Sequence, residues 1–149
     1  MSAATATAAA RVSDRALPFG RAFRAVAWAE LALVFAQALL AGQFLDGADL
    51  VWLHGINAHA LQLLSLGHLV IGVLLWRPGR GPGWPALAAL ALLWLVSLQV
   101  GLGYIRQLDA HVPLGVALLG LLIALLAGTR RLSRATDPID PIDPSDPRT

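Results

Sequence analysis

Four apolar runs, each close to the length of a membrane-spanning helix, constrain the fold of this chain more than any other feature. A helix needs about 20 apolar residues to cross a bilayer. We predict spans at about 24–45, 58–76, 85–104 and 110–127. Hydrophobic residues make up 57% of the chain and charged residues 13%, which is too apolar for a soluble domain. The predicted fold is an all-α membrane protein, a four-transmembrane-helix bundle.

The segments outside the spans have a different composition. Residues 1–20 are rich in Ala, Ser and Thr, and we expect a mobile cytoplasmic arm before a bundle at 21–128. Residues 129–149 end in a repeat with Pro at every third position between Asp137 and Pro147. Such a repeat forms neither a helix nor a sheet, so we expect a disordered, Asp/Pro-rich cytoplasmic tail.

The arginines predict the orientation. Nine of them lie in the N-terminal arm, the second connection and the start of the tail, whereas the first and third connections together contain only Arg106. By the positive-inside bias, both termini should lie in the cytoplasm. The absence of Lys together with abundant Ala, Leu and Gly suggests a GC-rich bacterial coding bias. We therefore expect a multi-pass protein of the bacterial cytoplasmic membrane.

Several functional classes are disfavoured by what the sequence lacks. The chain has no Cys, which excludes disulfides, thiolate zinc sites, Fe–S clusters and covalently attached haem. It has no hydrolase or transferase signature, such as a Ser/His/Asp set or a phosphate-binding loop. No basic patch alternates with aromatic residues, so we expect no nucleic-acid partner.

Two histidines are the strongest candidates for a site. His59 follows Asn57-Ala58 and His111 follows Asp109-Ala110, and each precedes an apolar run. If Asn57 and Asp109 are helix N-caps, both histidines lie in first turns at the same face of the membrane. Two imidazoles at equal depth in a bundle suit the axial positions of a haem iron. The alternative is that both are hydrated interfacial residues.

Other polar or small residues could support this site. Gly115 lies four residues after His111 on the same helix face and would let a flat macrocycle approach the backbone. Gln99 could hydrogen-bond a histidine nitrogen or a propionate, although a bridge between helices is the commoner use. Both are predicted cofactor-binding residues. His68 is the alternative iron ligand on the second span if that helix begins later than predicted.

The roles of three ionisable residues, His54, His68 and Glu30, stay open. His54 and His68 are fourteen residues apart and lie nearly on one face, but a second haem would need another deep histidine that the chain lacks. We therefore expect one haem, with His68 in an interhelical hydrogen bond or at a substrate. Glu30 lies inside the first span, where it must be protonated or paired.

The motifs that surround the histidines also resemble known families. They are Gln37…Gly42, Asn57-Ala58-His59, Trp76-Arg77-Pro78-Gly79, Gln99…Gly103-Tyr104-Ile105-Arg106 and His111-Val112-Pro113-Leu114-Gly115-Val116. The pattern resembles an actinobacterial family of uncharacterised four-helix membrane proteins. Its layout is also similar to one half of haem A synthase. That resemblance implies b-type haem on His59 and His111. Ile56 stands where the synthase has the Glu of a Glu-x-x-His motif that ends in its catalytic His, so the chemistry of the synthase does not carry over.

These observations predict a membrane protein that binds one b-type haem near its outer face. We expect electron transfer or haem-dependent redox chemistry, which leaves open whether the chain is a membrane haem oxidoreductase. The expected partners are lipid and either quinone or a redox protein, and a homo-oligomer stays open. The alternative function is a cofactor-free small membrane subunit or assembly factor of a larger complex.

Overall fold

The chain forms four helices joined by short connections. A computed structural model describes the backbone of residues 3–134 and, within it, the side chains of residues 16–43 and 45–129. The helices are α1 (Ala3–Leu45), α2 (Val51–Trp76), α3 (Trp84–Tyr104) and α4 (Leu108–Arg134). Each contains a segment long and apolar enough to cross a membrane. The prediction of an all-helical chain with four candidate spans is therefore confirmed.

Two helices begin well before their predicted starts. Helix α1 starts at Ala3 and so includes most of the segment assigned to the N-terminal arm. The mobility of that arm stays a prediction. Helix α2 starts at Val51, seven residues before the predicted 58. The predicted Asp/Pro tail beyond residue 134 lies outside the described residues.

The early start of α2 corrects the predicted N-cap at Asn57. The residue that precedes the helix is Leu50, and the backbone N–H of His54 already donates to the Leu50 carbonyl. Asn57 is the seventh residue of α2, and its side chain bonds across to α1 instead of capping its own helix. The physical reason is that the segment from Val51 to Leu53 is apolar and has no helix breaker, so the helix continues back through it.

The helices pack in a ring in which neighbours are antiparallel. Helix α1 contacts α2 and α4, and α3 contacts the same two helices. Helices α2 and α4 therefore run parallel and diagonally opposite one another. We call the end at which both begin the histidine end, because it carries His54 and His111. The opposite end, which carries Arg77 and Arg80 of the α2–α3 connection, is the arginine end.

All four helices contribute to a narrow core. Its most buried side chains include Phe23 of α1, Leu61 of α2, Ala89 of α3 and Leu122 of α4. Helices α2 and α3 approach closely at Gly72, where an added Cβ would lie 3.0 Å from the Cα of Ala86. Small residues at such a crossing let two backbones pack directly, as is usual for helices in membranes.

The outer surface of the bundle is apolar. Large apolar side chains on all four helices are mostly exposed, among them Leu39 (57%), Leu63 (70%), Leu87 (69%) and Val116 (69%). A soluble protein rarely exposes so continuous an apolar surface. This distribution is consistent with contact between the helices and a lipid bilayer.

Candidate functional site

The histidine end brings two imidazoles together from helices that do not touch. His54 is the fourth residue of α2 and His111 is the fourth residue of α4. Because the two helices are parallel, the equal position in each helix gives the two side chains the same depth. Their ring centroids lie 6.3 Å apart, with the ring planes tilted by 50°. The space between α2 and α4 at this end is thus lined by two half-buried imidazoles.

Helix α3 fixes the orientation of the His111 ring. The ring nitrogen Nδ1 lies 2.9 Å from the carbonyl oxygen of Gln99, and the Gln99 side-chain amide donates to the His111 carbonyl at 2.9 Å. The absent side chain of Gly103 lets the ring pack against α3, since a Cβ there would lie 3.1 Å from Cε1. A carbonyl accepts only from an N–H, so the proton is on Nδ1 and the lone pair is on Nε2.

The His54 ring has an unused nitrogen. Its Nδ1 is buried and has no hydrogen-bond partner among the described residues. The backbone of Gln37 in α1 lies close to the same ring. The side-chain oxygen of Gln99 is also buried without a partner in the described part of the chain. Such unsatisfied buried atoms are uncommon and often indicate a missing ligand or water molecule.

His59 lies deeper along α2 and contacts a different residue. It is the ninth residue of the helix, five residues or about 7.5 Å beyond His54. Its Nε2 lies 2.9 Å from the hydroxyl of Tyr104, and both side chains are exposed. The prediction that His59 and His111 share a haem stays a prediction. The ring that the structure places beside His111 is that of His54.

The two residues predicted to support the haem lie at the same end. Gln99 bonds to the backbone of His111, as described above. Gly115 lies against Gln99, because a Cβ added to Gly115 would be 3.0 Å from the Gln99 side-chain nitrogen. Gln99 therefore occupies the surface that Gly115 leaves open. A flat ligand could reach this backbone only after the Gln99 side chain rotated away.

Polar bridges between helices surround this end. The Asn57 side chain donates to the Leu33 carbonyl at 3.0 Å and to the Gln37 side-chain oxygen at 2.7 Å, which ties α2 to α1. Gln62 donates to the Ser97 hydroxyl at 2.6 Å and ties α2 to α3. These bonds restrain α2, the helix that carries His54.

A second polar site lies in the middle of the bundle. His68 Nδ1 and Glu30 Oε2 are 2.7 Å apart, and both side chains are almost completely buried. The Phe23 ring packs on the His68 ring with centroids 4.1 Å apart. His68 is fourteen residues beyond His54, or about 21 Å along the helix. Its Nδ1 already has a partner, so an iron held at this histidine would use the remaining nitrogen, Nε2.

Sequence reasoning missed the pairing of His54 with His111. The feature that indicates this pairing is the full length of α2. Once the helix is extended back to Val51, His54 is the fourth residue of α2, as His111 is the fourth residue of α4. The contact between His59 and Tyr104 joins residues 45 positions apart in sequence, and no local pattern predicts it.

No larger donor set lies near these residues. The described part of the chain contains no group of three or more His, Cys, Asp or Glu side chains that could hold a metal ion. Among the described side chains, the imidazoles of His54 and His111 are the potential donor groups whose rings lie together at the histidine end. Comparison of the chain with protein-family models, with curated proteins and with solved structures finds no match.

Proposed function

We propose that this chain is an integral protein of the bacterial cytoplasmic membrane that binds one b-type haem at its histidine end and uses it for electron transfer. The observation that carries the proposal is the separation of the His54 and His111 rings. A metal bonded at about 2 Å to one nitrogen of each imidazole places the two ring centroids about 6 Å apart. The distance in this protein is 6.3 Å.

This separation supports His54 as the axial ligand from α2. His59, predicted for that role from the sequence, lies further along the helix and is paired with Tyr104. His111 is the ligand from α4 in both versions of the proposal. The two versions differ only in the ligand residue on α2, and substitution of each histidine distinguishes them.

The residues around the two imidazoles fit axial ligation. The Nδ1–H of His111 donates to the Gln99 carbonyl, which leaves Nε2 free for the iron. Histidines that bind metals usually donate their second ring nitrogen in this way, which fixes the ring and makes the ligand more basic. The buried, unpaired nitrogen of His54 would supply the second ligand. Gly103 lets the His111 ring pack against α3, and Gly115 lies against the Gln99 side chain, which would have to rotate to admit a flat ligand at that backbone.

A bound haem would supply a site that takes up and releases one electron at a time. The part of this chain is to hold the iron with two nitrogens, so that its coordination stays the same in both oxidation states. The exposed pair formed by His59 and Tyr104 lies at the same end of the bundle. Its hydrogen-bonding groups offer a contact for a quinol or for a redox protein, the two partners that the proposal allows.

The arginine distribution supports an orientation with both termini in the cytoplasm. Arg21, Arg24, Arg77 and Arg80 all belong to the arginine end, which the positive-inside bias assigns to the cytoplasmic face. The histidine end then faces outward, and lipid covers the apolar surface of the helices. The layout resembles one half of haem A synthase, and the motifs resemble those of the actinobacterial family named above. Both likenesses are part of the proposal.

A visible spectrum of the purified protein tests the proposal directly. The protein is expressed with added haem precursor, purified in detergent and measured oxidised and reduced, and the apoprotein is also titrated with haemin. A Soret band with sharp low-spin bands in the reduced state, at about one haem per chain, is the expected result. If haemin does not bind at a defined stoichiometry and gives no low-spin bands, the alternative function of a cofactor-free membrane subunit replaces this proposal.

A further inference from the structure

The connection between α2 and α3, at the arginine end, contains a cavity that the haem proposal does not use. Its volume is about 540 Å³, and it is lined by Trp76, Arg77, Pro78, Arg80 and Gly81. Pockets of roughly 300–1,000 Å³ bind small ligands. The guanidinium carbon of Arg77 lies 5.4 Å from the centroid of the Trp76 ring, so the indole holds one of the two cations in place. Two guanidinium groups at one cavity indicate an anionic ligand.

The backbone that forms the wall of this cavity is held in place by the last turn of α2. Gly79 and Gly81 donate their backbone N–H groups to the carbonyls of Leu74 and Leu75, at 2.9 and 2.8 Å. Gly79 packs so closely that an added Cβ would lie 2.6 Å from the Leu75 carbonyl oxygen. Arg80 has a left-handed backbone, with a φ of 59°. The connection thus folds back on its own helix, and the cavity is part of that fold.

The two arginines of the cavity have no anionic partner within the described part of the chain. The described glutamate is buried in its contact with His68, and the three described aspartates lie at the histidine end. An arginine at the end of a helix often bonds the last carbonyls of that helix instead. Here the carbonyls of Leu74 and Leu75 already accept backbone N–H groups. The charges of Arg77 and Arg80 are therefore available to an external anion.

The surroundings of the cavity favour a lipid over a soluble anion. Trp76 and Trp84 are partly exposed at this end of the bundle, as is usual for tryptophans at the boundary between a bilayer and water. Val73 and Leu74 are exposed on α2 within one turn of Trp76 and offer an apolar surface directly beside the cavity. A phosphate held by the arginines would place the acyl chains of its lipid on this surface, which a soluble phosphate compound would leave uncovered.

We propose that this cavity binds the headgroup of an anionic phospholipid. Arg77 and Arg80 donate their guanidinium N–H groups to the phosphate oxygens, a geometry that suits arginine better than lysine. The acyl chains lie on the exposed apolar surface of α2. Basic pockets beside membrane spans bind anionic headgroups in this way. The lipid holds the arginine end at the level of the headgroups, and the site is separate from the two imidazoles at the other end of the bundle.

Native mass spectrometry of the full chain in a neutral detergent tests the site. Phosphatidylglycerol serves as the anionic lipid and phosphatidylcholine as the zwitterionic lipid. Phosphatidylglycerol should bind at one lipid per chain and about tenfold more tightly, because the choline ammonium group opposes the two guanidinium groups. Equal affinity for the two lipids would overturn the proposal.

Substitutions separate a specific site from attraction by overall charge. Arg77→Gln and Arg80→Gln should each weaken the binding of phosphatidylglycerol about fivefold, and the double variant about 25-fold. Arg106→Gln is the matched control, since Arg106 is also exposed, also has a left-handed backbone and also lies in a connection, but at the histidine end. It should change the affinity less than about twofold, because it lies more than a Debye length from the cavity. An equal loss in the control, or no loss in the double variant, contradicts the site.

A variant that keeps every charge tests the folded connection itself. Gly79→Ala forces the wall of the cavity away from the Leu75 carbonyl and should weaken the binding of phosphatidylglycerol. Gly67→Ala meets nothing within 4 Å and should bind this lipid as the wild type does. Circular dichroism shows that each variant is folded. Unchanged binding in Gly79→Ala would show that the arginines attract lipid without a formed cavity, which overturns the proposal.

Two further arms of the experiment distinguish the lipid from other anions. Glycerol phosphate should not displace phosphatidylglycerol, because it has no acyl chains to contact Val73 and Leu74. Full displacement would assign the cavity to a soluble phosphate compound. Deletion of residues 136–149 should leave lipid binding unchanged, whereas tighter binding after the deletion would assign the cavity to the aspartates of the chain's own tail. None of these measurements depends on haem.

Discussion

The imidazole rings of His54 and His111 face each other with centroids 6.3 Å apart, on two helices that pack on α1 and α3 instead of on each other. The side chains meet because each is the fourth residue of its helix and the two helices are parallel. The Gln99 carbonyl holds the His111 ring in place, and the Gln37 backbone lies close to the His54 ring. Both flanking helices thus position the two rings.

The buried contact between Glu30 and His68 should have a measurable effect on stability. His68→Leu removes the partner of a buried carboxyl group, and we expect the free energy of unfolding to fall by about 2–4 kcal/mol. The double variant Glu30→Leu/His68→Leu removes both polar groups and should recover most of that loss. Unfolding of the detergent-solubilised protein by denaturant measures both effects.

The exposed contact between Gln62 and Ser97 provides a matched control, since it also joins two helices through side chains. Gln62→Leu should cost less than about 1 kcal/mol, because the Ser97 hydroxyl keeps its bond to the Leu93 carbonyl and the introduced leucine suits a surface that faces lipid. If the double variant were no more stable than His68→Leu, the contact between Glu30 and His68 would contribute more to the stability of the fold than the hydrogen bonding of its own polar groups.

Gly72 should be the glycine least tolerant of a methyl group in the middle of the bundle. The Cβ of Gly72→Ala would lie 3.0 Å from the Ala86 Cα and 3.3 Å from the Phe23 ring, so α2 and α3 must move apart. We expect a loss of about 1–3 kcal/mol in thermal or denaturant unfolding. Gly67→Ala is the control, because nothing lies within 4 Å of its added Cβ. Equal stability of the two variants would contradict the close approach at Gly72.

Cysteine labelling tests the orientation, and the absence of native Cys makes single substitutions informative. Asp49→Cys lies in the exposed connection at the histidine end, and Pro82→Cys lies in the exposed connection at the arginine end. A maleimide that does not cross membranes should label Asp49→Cys in intact cells and Pro82→Cys only after lysis. The reverse pattern would place the histidine end in the cytoplasm.

The tail beyond the described residues should contribute nothing to the stability of the bundle. Its charges and its regular prolines leave no apolar face to bury. Deletion of residues 136–149 should leave the melting temperature of the detergent-solubilised protein unchanged. A clear decrease would show that the tail docks on the helices.

Much of the fold could be predicted from the sequence, because span length and apolar composition are local properties. The ends of α3 and the start of α4 lie within two residues of the predicted bounds. The start of α2 was wrong by seven residues, since Asn57 resembles an N-cap in sequence but bonds to α1 in the structure. Because of that error, the prediction paired His59, and not His54, with His111. Contacts between distant residues, such as Glu30 with His68, depend on how the helices pack and leave no local signal.

The measurement that tests the central claim most directly is the visible spectrum of three haem-loaded variants of the purified protein. His54→Ala and His111→Ala should each lose the low-spin bands, because loss of one axial nitrogen leaves the iron five-coordinate or open to water. Added imidazole should restore those bands in both. His59→Ala should keep the low-spin spectrum of the wild type. Low-spin bands that survive in His54→Ala and disappear in His59→Ala would contradict this account and return the ligand role on α2 to His59.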